Sequence, residues 1–187
     1  YDFHEENLEL IPTSSLVIDP VVRYVDAPLA IDKENFEDIG FQFVRSVGSD
    51  TTIIRINNPD PDISYLSENV GAIYTTSEKS YFKIQTTMQL NLAFENPVFV
   101  ELDYKTDKNF FFGLKSIFPS AGEVGLVGVI PKLDSDGDPI WNKIYIDISD
   151  AIALLGNGTV MEVFIEGDNN GTEGFLFIDN VKIIRPS

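Results

Sequence analysis

Gly174-Phe175-Leu176-Phe177-Ile178-Asp179-Asn180-Val181-Lys182-Ile183-Ile184, close to the end of the 187-residue chain, places an Asp-Asn pair in the middle of a run that otherwise reads as a buried strand. Asp and Asn are poor strand formers. An unpaired buried carboxylate costs several kcal/mol, so an acidic group here has to be exposed at a bulge, tied to backbone N–H groups, or bound to a cation. The run therefore predicts a closing strand in which something local compensates Asp179.

Working outward, Phe82, Ile84, Thr86, Met88, Leu90, Leu92 and Phe94 share one parity, and Lys83, Gln85, Thr87, Gln89 and Asn91 the other. That period of two marks a half-buried strand, or two joined by a bend. Similar runs recur at 51–56, 98–104, 110–118, 124–130, 140–148, 160–165 and 175–184. About eight or more strands at turn-bounded spacing predict an all-β fold, an antiparallel β-sandwich. The connections are chemically explicit: Asp134-Ser135-Asp136-Gly137-Asp138-Pro139, Gly156-Asn157-Gly158 and Gly167-Asp168-Asn169-Asn170-Gly171 are rich in residues that tolerate positive φ. Ser149 to Leu155 is the one helix-like piece, with a cap residue at its start and Gly156 at its end, suited to covering an open end of the sandwich. Residues 1–32 differ: they are acidic, carry Pro12, Pro20 and Pro28, and read as an extension leading into an added edge strand rather than a second domain. The sandwich domain is expected over 33–187.

Composition narrows the function. A hydrophobic content of 43% is enough for one generous core. The formal charge of -17 and pI near 4.2 repel nucleic acid and anionic membrane surfaces, leaving neutral or cationic ligands. With no cysteine, disulfides, thiolate chemistry and zinc-thiolate sites are excluded. No run approaches the ~18 apolar residues of a membrane span. The start at Tyr1, with neither a basic nor an apolar leader segment, is expected to be that of a mature chain whose leader has been removed.

The closing strand resembles that of galactose-binding-like jelly rolls, the β-sandwiches that include many carbohydrate-binding modules. Two further segments carry the resemblance in order: Asn35-Phe36-Glu37-Asp38, similar to their opening segment, and Trp141-Asn142-Lys143-Ile144-Tyr145-Ile146-Asp147-Ile148-Ser149, similar to their Trp-x-x-Ile-x-Ile-Asp-Leu-Ser strand. The mature start, acidic composition and sandwich pattern together resemble surface lipoproteins of Bacteroidetes. The resemblance implies a noncatalytic carbohydrate-binding module, secreted or on the outer cell surface, with a lipid anchor upstream of Tyr1. The alternative is a structural or protein-interaction sandwich without a sugar site. In many such modules a structural calcium ties an early acidic residue to the Asp of the closing strand, which by position implicates Glu37 and Asp179. Ile39-Gly40-Phe41 departs from the Gly and Trp that usually follow the opening segment. The other reading is that Asp179 caps a bulge while Glu37 is solvated.

Glycan sites present aromatic rings that stack on a sugar, with amides and carboxylates for its hydroxyls. Along 140–148, Trp141, Lys143, Tyr145 and Asp147 share the more polar parity, making Trp141 and Tyr145 the candidate ligand contacts. Alternatively, Trp141 plugs the sandwich edge and Tyr145 packs beneath a loop. Asp134, Asp136 and Asp138 are spaced like the first ligands of an EF-hand, but Pro139 and Tyr145 stand where Gly and Glu are required, which leaves a solvated turn. Glu101-Leu102-Asp103 begins like a glycosidase strand but lacks its second Glu, so it reads as a solvated strand face, and no catalytic activity is expected. His4 is the sole histidine, which argues against nucleophile-base triads.

Overall fold

A computed structural model describes residues 33–34, 36, 43–86, 90–91, 97–118, 121–155 and 160–184. The expected N-terminal extension, Glu37 and the turn at 156–158 lie outside the described residues. The strands are β1 Lys33–Glu34, β2 Phe43–Arg45, β3 Ile54–Asn57, β4 Asn69–Thr75, β5 Tyr81–Thr86, β6 Leu90–Asn91, β7 Phe99–Thr106, β8 Phe110–Phe118, β9 Gly122–Val129, β10 Asn142–Asp147, β11 Val160–Asp168 and β12 Gly174–Ile184. Among the described residues one helix, α1 Ser149–Leu155, follows β10. No helix among the described residues is long and apolar enough to cross a membrane.

Two antiparallel sheets stack face to face. The first runs β10-β7-β12-β4-β3, with β1 also on β12, and the second runs β2-β5-β11-β8-β9, with β6 also on β11. The core is the inward parity of both: Ile73, Val100, Leu102 and Ile178 meet Ile84, Phe112, Leu114 and Ile165, all essentially sealed from water. Ala151 and Ile152 of α1 join that core. The free N–H of Ser149 is met by Asp147 Oδ1 at 2.9 Å, so the helix cap comes from the end of β10 rather than from Ser149.

The period-two pattern over 82–94 resolves into β5 and β6. The turn at 134–139 is self-contained: Asp134 Oδ1 accepts the N–H groups of Asp136 and Asp138, both at 2.9 Å, and Gly137 takes the left-handed φ of 90°. Those backbone donors hold the Asp134 carboxyl below its usual range. Strand β4 was not foreseen. Val70, Gly71, Ala72 and Ile73 are all buried, so β4 lacks the alternation that betrays a half-exposed strand. Its inner side faces the core, while its outer side is roofed by the loop that joins β3 to β4.

Candidate functional site

That loop, residues 58–68, folds back over the outer face of the first sheet. Ile63 and Leu66 pack with Ile56 and Phe175 onto a second apolar cluster of Val70, Ala72, Trp141 and Phe177. Trp141 is 8% exposed, and its indole N–H donates to Asp60 Oδ2 at 2.8 Å. Lys105 donates to the same oxygen at 2.8 Å. Burial pushes the Asp60 carboxyl up, but the bonds from Lys105 and Trp141 outweigh it and hold the group below its usual value.

Beside this plug lies a charged cluster on the same face. Register places Lys143 opposite Asp103 and Tyr145 opposite Glu101, while Asp179 stands opposite Asp103 and Lys182 opposite Glu101. Glu101 Oε1 accepts from Lys143 at 2.7 Å and Lys182 at 2.8 Å, and Asp103 Oδ2 accepts from Lys143 at 3.0 Å. Glu101 and Asp103 are 8% and 0% exposed, which corrects the expectation of a solvated strand face. The reason is lateral: lysines from β10 and β12 lie over carboxylates of the strand between them, a contact that parity along one strand does not reveal. Burial raises the Glu101 carboxyl, yet the two ammonium groups bring it below the usual range.

Asp179 is fully buried in the bulge of β12, where the register slips between Asp179 and Lys182. Its two oxygens are met separately, Oδ2 by the N–H of Ser67 and Oδ1 by the N–H of Asn180, both at 2.7 Å. Asn180 adopts the left-handed φ of 49°, which Asn tolerates better than most residues. The compensation expected for Asp179 is thus a bulge and backbone N–H groups. Burial still pushes the Asp179 carboxyl up, with the charge of Asp103 adding to it.

Glu37, the other half of the calcium pair implied by the resemblance, lies outside the described residues. At the described half, the Asn180 side-chain nitrogen lies 3.0 Å from Asp103 Oδ2, 3.1 Å from the Tyr65 carbonyl and 3.2 Å from Asp179 Oδ2. The oxygens that converge here surround an N–H donor, so the described residues do not fit a cation at that point. No group of three or more His, Cys, Asp or Glu side chains among the described residues could hold a metal.

Two exposed rings lie near the cluster. Tyr145 is 45% exposed and bonds Glu101, and Tyr65 is 55% exposed and within the field of Asp103 and Lys143. Burial raises both phenols, and the neighbouring carboxylates push in the same direction. Of the residues singled out in the sequence, Trp141, Tyr145 and Asp179 share this face. Tyr65 was missed, since a Tyr in a Pro-, Asp- and Ser-rich loop carries no periodic signal. At the foot of the loop, Asn57, Asn58, Glu68 and Asn69 help to line a hollow of about 450 Å³.

Asp103 Oδ1 is a buried oxygen without a hydrogen-bond partner. Burial raises the Asp103 carboxyl, Lys143 and Asn180 oppose this, and Glu101 adds to it, leaving the group above its free value of 3.8. The folded state therefore binds this proton more tightly than the unfolded chain does. The stabilisation is complete below 3.8 and lost as pH rises through the higher folded value. The advantage of Asp103→Asn over the wild type should consequently grow as pH rises from 3.8 through the folded value, read in thermal melts. A difference independent of pH would show that Asp103 does not titrate in this window.

The outer face of the second sheet is built differently. Phe164, 2% exposed, lies over Gly113, where a Cβ would stand 2.2 Å from the ring. Lys83 Nζ sits 4.2 Å above that ring and bridges Glu123 and Glu166 at 2.7 and 3.2 Å. Gln85 accepts from Ser46 and donates to Glu162, both at 2.7 Å, so its amide is engaged at both ends.

No protein-family profile matches the chain, and neither does any curated protein. Solved structures do match in fold. The K2 cleaved adhesin domain of Lys-gingipain aligns over 81% of this chain and 96% of its own, at 12% identity and TM-score 0.53. The CBM22-1 xylan-binding domain from Paenibacillus barcinonensis Xyn10C aligns over 84% and 94%, at 12% identity and TM-score 0.51. A further xylan-binding domain of the CBM 22 group aligns over 83% and 94%, at 12% identity and TM-score 0.50. These define the class as an antiparallel β-sandwich of the kind found in carbohydrate-binding modules. At such identity the likeness is one of fold.

Proposed function

We propose that this chain is a noncatalytic carbohydrate-binding-like module that takes a neutral glycan on the outer face of its first sheet. The observation that carries the reading is the pair of exposed rings, Tyr65 and Tyr145, both within the field of Lys143 and Asp103. Rings of this exposure stack on the apolar side of a pyranose, while the lysine suits its hydroxyls. The charge of -17 favours neutral over anionic polymers. The fold shared with xylan-binding domains supports the same reading. Hydrolysis is disfavoured by the chemistry of the carboxylates: Glu101 is engaged by two lysines, and Asp103 is shut off from solvent. In this reading the module works outside the cell, as part of a surface lipoprotein.

A protein-interaction role is the second reading, favoured by the likeness to an adhesin domain. Affinity electrophoresis against a panel of neutral polysaccharides separates the two. At least one polysaccharide should retard the domain, and Tyr65→Ala and Tyr145→Ala should each weaken retardation about tenfold, the equivalent of one lost ring contact of about 1.4 kcal/mol. Retardation by none of the panel, or retardation indifferent to both substitutions, would remove the glycan site from this face.

A further inference from the structure

The bulge of β12 meets the roofing loop through Asn180 and Asp179. An amide NH2 has two hydrogens, yet three oxygens from three segments close on the Asn180 nitrogen: the Tyr65 carbonyl from the loop, Asp103 Oδ2 from β7 and Asp179 Oδ2 from β12 itself. Ser67, two residues beyond Tyr65, adds its N–H to Asp179 at 2.7 Å. Asn180 is 6% exposed, so these bonds form away from competing water. The left-handed backbone of Asn180 is what brings its side chain to this point, because the bulge inserts one extra residue between the pairs Asp179–Asp103 and Lys182–Glu101.

We infer that the Asp179–Asn180 pair is a latch that fixes the 65–67 segment on the sheet and thereby positions Tyr65, with the Asn180 amide doing the work that a bound cation would do among the same oxygens. Asn180 and Asp179 are positioning residues in this scheme, since they act on the ligand face through the backbone of Tyr65 and Ser67. The role of Tyr65 in glycan binding rests on the reading proposed above, but the latch itself does not.

Two substitutions respect the left-handed backbone. Asn180→Gly keeps the conformation and deletes the amide, and Asn180→Asp keeps the shape but makes a third carboxylate beside Asp103 and Asp179. Hydrogen exchange at the Ser67 amide, measured without ligand, reads the latch. Exchange should accelerate about tenfold or more in Asn180→Gly, while amides of the core strands stay protected. It should accelerate likewise in Asn180→Asp, and millimolar calcium should restore protection there, because three clustered carboxylates make an oxygen site for a hard cation. The wild type should respond neither to EDTA nor to calcium. Ser67 exchange unchanged in Asn180→Gly would overturn the latch, as would a wild type whose Ser67 protection falls on chelation. Loss of glycan binding in Tyr65→Ala with normal Ser67 protection tests the ligand face separately. If no glycan binds at all, the exchange result stands by itself.

Discussion

Trp141→Ala should lower stability by about 3–5 kcal/mol, measured as a shift of the urea midpoint at neutral pH with little change in slope. The indole is 8% exposed and sits in the apolar cluster with Val70, Ala72 and Phe177 under the 58–68 loop. Truncation leaves a void that the sheet beneath is too rigid to fill. It also removes the donor at 2.8 Å from Asp60, leaving that carboxylate to Lys105. Trp141→Phe helps to separate the two contributions, since it keeps most of the packing while losing the N–H and part of the ring. Its cost should be about 1–2 kcal/mol. An unmoved midpoint accompanied by lost glycan binding would instead make Trp141 part of the ligand platform.

Lys143→Met should cost roughly 2–4 kcal/mol at neutral pH. Breaking a buried ion pair costs ~3–5 kcal/mol, and the figure is discounted because the Lys143 side chain is 34% exposed and its partners retain some water. Lys143 is the cation shared by Glu101 and Asp103; without it, Glu101 keeps Lys182, but Asp103 keeps only the Asn180 amide. The loss should shrink in acid. Glu101 has a folded value below 4.5, so its contribution is present above 4.5 and disappears as pH falls through the lower folded value. Asp103 moves in the same direction, since its protonated form needs no cation. Thermal melts of both proteins from neutral to acid pH check this, and a penalty that grows in acid would contradict the assignment of Lys143 to these two carboxylates.

Much of the sandwich was legible because its rules are local. The inward-facing residues of β5, β7, β8 and β11 follow strand parity, the turns at 134–139 and 167–171 contain the residues whose left-handed conformations they need, and α1 falls where the helical signal lay. The bulge at Asp179 was legible for the same reason, since a carboxylate inside a hydrophobic run demands local compensation. Strand β4 was not legible, because burial on both sides erases alternation. Nor was the fate of Glu101 and Asp103, whose lysines come from strands about 40 and 80 residues further along the chain.

The amino-acid sequence by itself determined the all-β class, the acidic character of the surface, the absence of thiol chemistry, and the place where the last strand had to bend. Only the tertiary structure decided that the Pro-rich loop returns to the sheet, that Ser67 reaches Asp179 across 112 residues, and that Tyr65 stands with Tyr145 beside one ion cluster. The physical reason is the range of the interactions. Side-chain alternation and turn preference are set within a few residues, whereas the outer face of a sheet is assembled from neighbours in space whose separation along the chain leaves no periodic trace.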